Sequence, residues 1–378
     1  MSLEINHSFG ITCEAIQKQC ETSAAQCDEQ AVWDLGELLQ FGLGAKEKLL
    51  LGKYFCQLPL SVGSFRVLRQ LQQLRILTAT EYICSIEEAE QQQLILIELL
   101  GTESELLSNI FISALYDSLN ANRMNLLLEE ALRNLFSALS TDPKISNLNY
   151  VEPLRKALPE NVLKTICIPM HLNILLELHE SEDISLAFQQ FSAWINEGVD
   201  ELTFVKYISD KLLDKHEQEA LSYLFKLSSS LRFKQWKYYF ILLQSIASCA
   251  SAETSSFIRK YLKNRVLHVA SMGCQHSLLH LLLTARAATA VTMSIENNLN
   301  NYAQWYKQHI GEMTYVLSKE EFQVMLNILE DSIHYECETQ YIEIHAAIAI
   351  SPGGKLVQAY KTKCKAHLAR LKTAQRKK

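Results

Sequence analysis

The chain has 378 residues, 48% of them hydrophobic and 21% charged, with a formal net charge of −6. This is too apolar for a disordered chain and enough to bury a sizeable core. Twelve glycines and six prolines are too few for the many turns of a large all-β or α/β protein, so helices joined by short polar connections are expected.

In chain order, Met1 to His7 has no basic stretch followed by an apolar one, so no secretory signal is read there. A helix is expected over 12–30, where Cys13, Cys20 and Cys27 recur at every seventh position. Thiols seven residues apart on a helix lie about 10 Å apart along its axis, which suits small residues at a helix seam better than one metal or redox centre. Phe65, Leu68, Leu71, Leu74 and Leu77 form an apolar stripe with Arg66, Arg69 and Arg75 off it. Helices follow over 81–100 and 103–119. Met124, Leu127, Ala131, Leu135 and Ala138 make the next stripe, closed at Pro143, which cannot continue a helix. Further helices are predicted over 170–179, 183–197, 202–212, 217–228, 233–249, 255–270, 287–306, 319–334 and 355–373. The breakers between them are short: Gly42 to Gly44, Pro59, Gly101, Gly198, Gly311 and Ser351 to Gly354. No apolar run approaches the roughly 18 residues of a membrane span. The ten cysteines include no CxxC and read as reduced thiols of a cytosolic or nuclear protein.

Helix pairs recur at intervals of about 35–45 residues, and this cadence resembles that of HEAT- and armadillo-type repeats, although no consensus returns at a fixed period. The expected fold is all-α: an irregular α-solenoid, a HEAT-like superhelix of antiparallel helix pairs. A compact helical fold without repeats is the alternative.

Charge is sorted along the chain. Between Ile76 and Asn122 there is no lysine or arginine against eight acids, and Thr165 to Asp200 holds six acids and no base. The sign then reverses: 220–295 carries nine bases and only Glu253 as an acid. Residues 296–343 return to nine acids against two bases, and 344–378 have nine bases and no acid. The organisation expected is an acidic helical part over 1–219, a helical part over 220–350 with its basic segment at 220–295, and a basic terminal helix and tail over 351–378. Such polarity suggests partners of both signs.

Two basic regions carry the candidate interface. From Arg232 to Phe240, Arg232, Lys234 and Lys237 alternate with aromatics, so cations could meet phosphates while Trp236 or Tyr238 stacks on a base. The competing reading is an amphipathic helix with Phe233, Trp236, Phe240 and Leu243 turned inward. Arg259, Lys260, Lys263 and Arg265 lie on the next helix, and stacking of neighbours could merge both edges into one groove. In the terminal helix, Lys361, Lys363 and Lys365 flank the apolar spacing of Tyr360, Cys364 and Leu368 and could bind phosphate or an acidic partner. A solvated helix that closes the stack is the plainer alternative.

Other patterns carry less. Ser351 to Lys355 lacks the spacing of a phosphate loop and reads as an N-cap at Ser351 with Pro352 in the first helical position. His276 and His280 sit four apart near His268 and Cys274, without HExxH or a second ligand pair, and read as core or polar histidines. Glu87, Glu88, Glu90, Glu129 and Glu130 read as a solvated acidic face. GxSxG and GxGxxG are absent. No catalytic residue, metal site or cofactor is therefore expected. The function expected is a non-enzymatic scaffold or adaptor subunit of a cytosolic or nuclear multiprotein complex, binding partner proteins along an extended helical surface, with no membrane contact. A nucleic-acid-binding protein that holds DNA or RNA at its basic C-terminal third is the first alternative. An all-α enzyme with a site assembled from distant residues is the second.

Overall fold

The computed structural model describes residues 2–21, 43–58, 62–181, 183–292 and 294–376, and among these residues the secondary structure is helical with no strand. Residues 22–42, which include Cys27 and the end of the helix expected over 12–30, lie outside the described residues, as do Pro59, Lys377 and Lys378. The chain divides into two compact units, Met1–Leu135 with Ser146–Met170, and Phe136–Ile145 with His171–Lys378. The changes of charge sign at 219/220 and 343/344 both fall inside the second.

The first unit begins with α1 (Ser2–Glu21), α2 (Ala45–Phe55), α3 (Val62–Gln73), α4 (Ala79–Ser85), α5 (Ala89–Thr102) and α6 (Ser104–Tyr116). It continues through the first part of α7 (Ala121–Thr141), α8 (Val151–Ala157) and the turn Glu160–Val162. α6 is its centre, packing on α3, α4, α5 and α8, and Leu106, Leu107, Ile110 and Phe111 are wholly buried there. Thr78 starts α4 with a capping box: its hydroxyl accepts from the Glu81 N–H at 3.2 Å, and the Glu81 carboxylate accepts from the Thr78 N–H at 2.8 Å.

The second unit is built from the end of α7, α9 (Ile168–Glu177) from His171 onward, α10 (Ile184–Asp200), α11 (Thr203–Leu212), α12 (Glu217–Ser228), α13 (Trp236–Ser248), α14 (Ala252–Met272) and α15 (Gln275–Thr289). α16 (Ile295–Tyr306), α17 (Lys319–Ser332), α18 (Thr339–Ala347) and α19 (Lys355–Gln375) follow. Most helix contacts in this unit reach one, two or three places along the chain, a pattern consistent with a helical solenoid, while α10 also touches α15. Two helices are enclosed by neighbours. α13 packs on α10, α11, α12, α14 and α15, and α15 on α10, α13, α14, α16 and α17. Each fully buried leucine in them, such as Leu242 or Leu283, contributes roughly 2 kcal/mol of transfer free energy.

The all-α class agrees with the expectation, and four local expectations need correction. The helix expected over 81–100 is two, α4 and α5, parted at Ile86 to Glu88. The helix expected over 287–306 is two: α15, which starts at Gln275 and holds both His276 and His280, and α16. Residues Leu278 to Ala287 are all buried, so no polar face marks a period there. Helices α2, α8 and α18 fall outside the expected ranges, α8 and α18 having too few turns for a clear stripe. Finally, Ser351 is not an N-cap: α19 starts at Lys355 behind Gly354, and the Ser351–Pro352 peptide is cis. Ser351 instead ties two elements together, its N–H donating to Gly311 O at 2.9 Å and its carbonyl accepting from the Thr314 hydroxyl at 2.8 Å.

Candidate basic interface

α14 carries four of the expected cations, and helix geometry divides them. Ile258, Leu262, Val266 and Val269 face the core. At about 100° per residue, Arg259 and Lys263 share one flank, Lys260 points outward and Arg265 lies on the opposite flank. Arg259, Lys260 and Lys263 are exposed, and none of the three has an ion-pair partner among the described residues.

Arg259 lines a groove of about 340 Å³ between α14 and α16 that reaches Ala247 near the end of α13. Its far wall is formed by Asn301, Gln304 and Trp305 of α16, which share one side by their i, i+3, i+4 spacing, and by Gln308 in the turn that follows. The groove runs on into a smaller hollow of about 190 Å³, lined by Lys263, Val266, Glu312, Tyr315 and Val316, and both share Gln308 and His309. The helix widens into a π turn, Lys307–Gly311, where the two meet. His309 is held below its ordinary pKa, first by burial and then by the Lys263 charge, with Glu312 opposing. It therefore faces the groove as a neutral ring near neutral pH. The sequence reading missed this α16 face, because attention to charge passes over a row of amides. Their helical spacing was the available signal.

Arg265 is turned inward. Its guanidinium lies 3.4 Å from Nδ1 of His280, whose Nε2 lies 3.3 Å from the Tyr239 hydroxyl. His280 is buried, and burial followed by the Arg265 and His276 charges depresses its pKa well below the ordinary value. Among the described residues, no group of histidines, cysteines and carboxylates could hold a metal ion.

The 232–237 segment occupies another place. Arg232 and Lys234 are exposed just before α13, whereas the groove touches α13 at Ala247, about 15 Å along the helix axis from Lys237. The two basic edges therefore do not merge into one groove. Lys237 is paired with Glu197 at 2.6 Å, and Gln235 donates to Glu180 at 3.0 Å, so acids face this segment. Trp236 cannot stack on a base as expected. It is wholly buried, edge-on to Phe233 at 4.7 Å and stacked on Phe240 at 5.8 Å, because α13 is enclosed on all sides.

The terminal cations are also largely engaged. Lys361 is half-buried, and its ammonium donates to the carbonyls of His345 and Ile348. Burial lowers its pKa to about 8. Lys363 pairs with Glu330 and Lys372 with Glu343, fastening α19 to α17 and α18, while Lys365 is exposed. The free cations of the unit are thus Arg232, Lys234, Arg259, Lys260, Lys263 and Lys365 among the sequence candidates.

Fold and site together define an all-α protein with a positively charged, amide-lined groove in its second unit. Its residues 12–374 match the family model described as the Fanconi anaemia group A protein N terminus. The chain belongs to that family. No curated protein matches it. A crystal structure of an engineered protein is similar at 15% identity, over 95% of this chain and 89% of that one, with a TM-score of 0.24, too low to bear on the fold. No helix among the described residues is long and apolar enough to cross a membrane.

Proposed function

We propose that the chain is a non-enzymatic scaffold subunit of a nuclear or cytoplasmic multiprotein complex, built as an irregular HEAT-like stack and binding partners along its exposed helix faces. The observation that carries this reading is family membership over 12–374, across both helical units rather than one. Stacked amphipathic helices leave long outer surfaces, and surfaces of that kind recognise chains more readily than they transform small molecules. The charge layout adds direction: the acid-rich residues 1–219 suit basic partners, and the basic stretch 220–295 suits acidic ones.

The test is capture of the tagged full-length chain from native cells, followed by cross-linking and mass spectrometry. Stoichiometric protein partners that survive nuclease treatment support the proposal. A chain recovered alone, or one recovered only with nucleic acid, would overturn it.

A second reading rests on the exposed, unpaired Arg259, Lys260 and Lys263. It makes this flank of α14 a contact for DNA or RNA phosphates. Binding would then weaken steeply with added salt and be lost on charge reversal of all three.

A further inference from the structure

We infer that the α14/α16 groove binds an extended acidic peptide segment of a partner protein. The inference rests on the scaffold reading above and names the chemistry of one partner site.

Three features fit such an occupant. Gln304 and Gln308 are exposed and make no side-chain hydrogen bond, while Asn301 uses only its Nδ2, donating to Thr289 O at 3.3 Å. A primary amide offers both a donor and an acceptor, as does a peptide unit. Asn301 and Gln304 step by about 4.5 Å along α16, with Gln308 a turn further on, and an extended chain presents like-oriented peptide groups about every 6.6 Å, so flexible glutamine stems can match the register. Trp305 in the same wall has its indole N–H buried without an acceptor. Opposite the amides, Arg259 and Lys263 stand one helical turn apart, neither in an ion pair among the described residues, and at that spacing they meet carboxylates on alternate residues of an extended strand.

The far end is different in kind. Val266, Tyr315 and Val316 line it, and Tyr315 and Val316 are largely exposed, so an apolar side chain next to the acidic pair has a surface to cover. Glu312 also stands there. A nucleic-acid strand carries a charge at every residue and would set a phosphate against Glu312, whereas a peptide can place its acids only where the cations are. The stretch from Ser255 to Val266 spans about 16 Å, room for about five extended residues.

A library of displayed random nonapeptides selected on the intact chain tests the assignment. Enrichment of peptides with two acids on alternate positions and an adjacent apolar residue is expected. The strongest peptide, fluorescently labelled, should bind at least about tenfold more weakly to Arg259→Glu/Lys263→Glu and to Gln304→Ala/Gln308→Ala, with unchanged helicity, but normally to Arg232→Glu/Lys234→Glu. Selection of non-acidic peptides, or binding indifferent to the first two variants, overturns the assignment. So does a single-stranded oligonucleotide that occupies the groove more tightly than any selected peptide. If native partners still co-purify with wild type while no acidic peptide is selected, the groove assignment fails and the scaffold reading stands. If no partner co-purifies, the scaffold reading fails whatever the library yields.

Discussion

Arg286 and Glu336 form an ion pair inside the second unit although fifty residues separate them, and neither side chain is more than 3% exposed. The guanidinium also lies 3.8 Å from the ring of Tyr341 and 4.9 Å from that of Phe188, so aromatic faces replace the water that the cation has lost. Burial alone would depress the Arg286 pKa, and the Glu336 charge overrides it and holds the group above its ordinary value. The pair joins α15 to the loop before α18, and Tyr302, Tyr341 and His345 pack beside it.

Removing one partner should therefore cost far more than removing both. Glu336→Gln leaves a buried cation without its counter-charge and should destabilise the second unit by about 3–5 kcal/mol, whereas Arg286→Met with Glu336→Gln should recover most of the loss. Urea unfolding of wild type and the two variants, followed by circular dichroism, gives the comparison. Equal losses for single and double variants would show that shape, rather than charge, is at stake.

Stability should fall on the acid side because His280 and His345 are buried in the neutral form. Burial, then Arg265 for His280 and Arg286 for His345, depresses both pKa values below the ordinary 6.5. The unfolded chain thus binds more protons than the native one below pH 6.5. The contribution is complete above the unfolded value and declines as pH falls through the native one, with a slope of up to about 1.4 kcal/mol per pH unit for each ring. Stability measured between about pH 7 and 5 should decline less steeply in His280→Gln and His345→Gln than in wild type.

Two helical glycines should respond oppositely to alanine. Gly198 on α10 abuts α13 so closely that a Cβ would stand 2.6 Å from Cγ2 of the buried Ile241. The usual gain of about 0.5–1 kcal/mol for alanine in a helix is outweighed there by an overpacking cost of about 1–3 kcal/mol. Gly101 has nothing within 4 Å of its Cβ position and should show the gain itself. Thermal midpoints of Gly198→Ala, Gly101→Ala and Gly198→Ala/Ile241→Leu test the sign of each, the last partly restoring stability because leucine lacks the Cγ2 branch.

Thiol reactivity should follow local structure rather than exposure alone. The Ser277 backbone N–H at the start of α15 holds Cys274 below the ordinary thiol value, whereas burial pushes Cys364 up to about 11 and Cys167 higher still. Brief iodoacetamide treatment of the native chain at pH 7.5, read by peptide mass spectrometry, should label Cys274 before the exposed Cys249 and Cys337. Cys167 and Cys364 should react only after unfolding.

Apolar periodicity arises between residues a few positions apart, so the stripes at 65–77, 124–138 and 202–212 could be read from the chain, and with them the all-α class. Net charge by segment was legible for the same reason. The enclosed helices were not. Once neighbours cover every face, as around Leu278 to Ala287, no polar side remains to mark the period. Trp236 shows the same effect at a single residue: basic neighbours make it look like a ligand platform, and five packed helices make it core.

Residue order settled that the chain is helical and where positive charge accumulates, because helix propensity and side-chain chemistry are local. Which cations remain free, and that Arg259 and Lys263 face an amide row from another helix, depended on packing between segments distant in the chain. A lysine becomes a ligand or a clasp according to what its neighbours in space offer, as Lys263 beside an open groove and Lys361 on two carbonyls show.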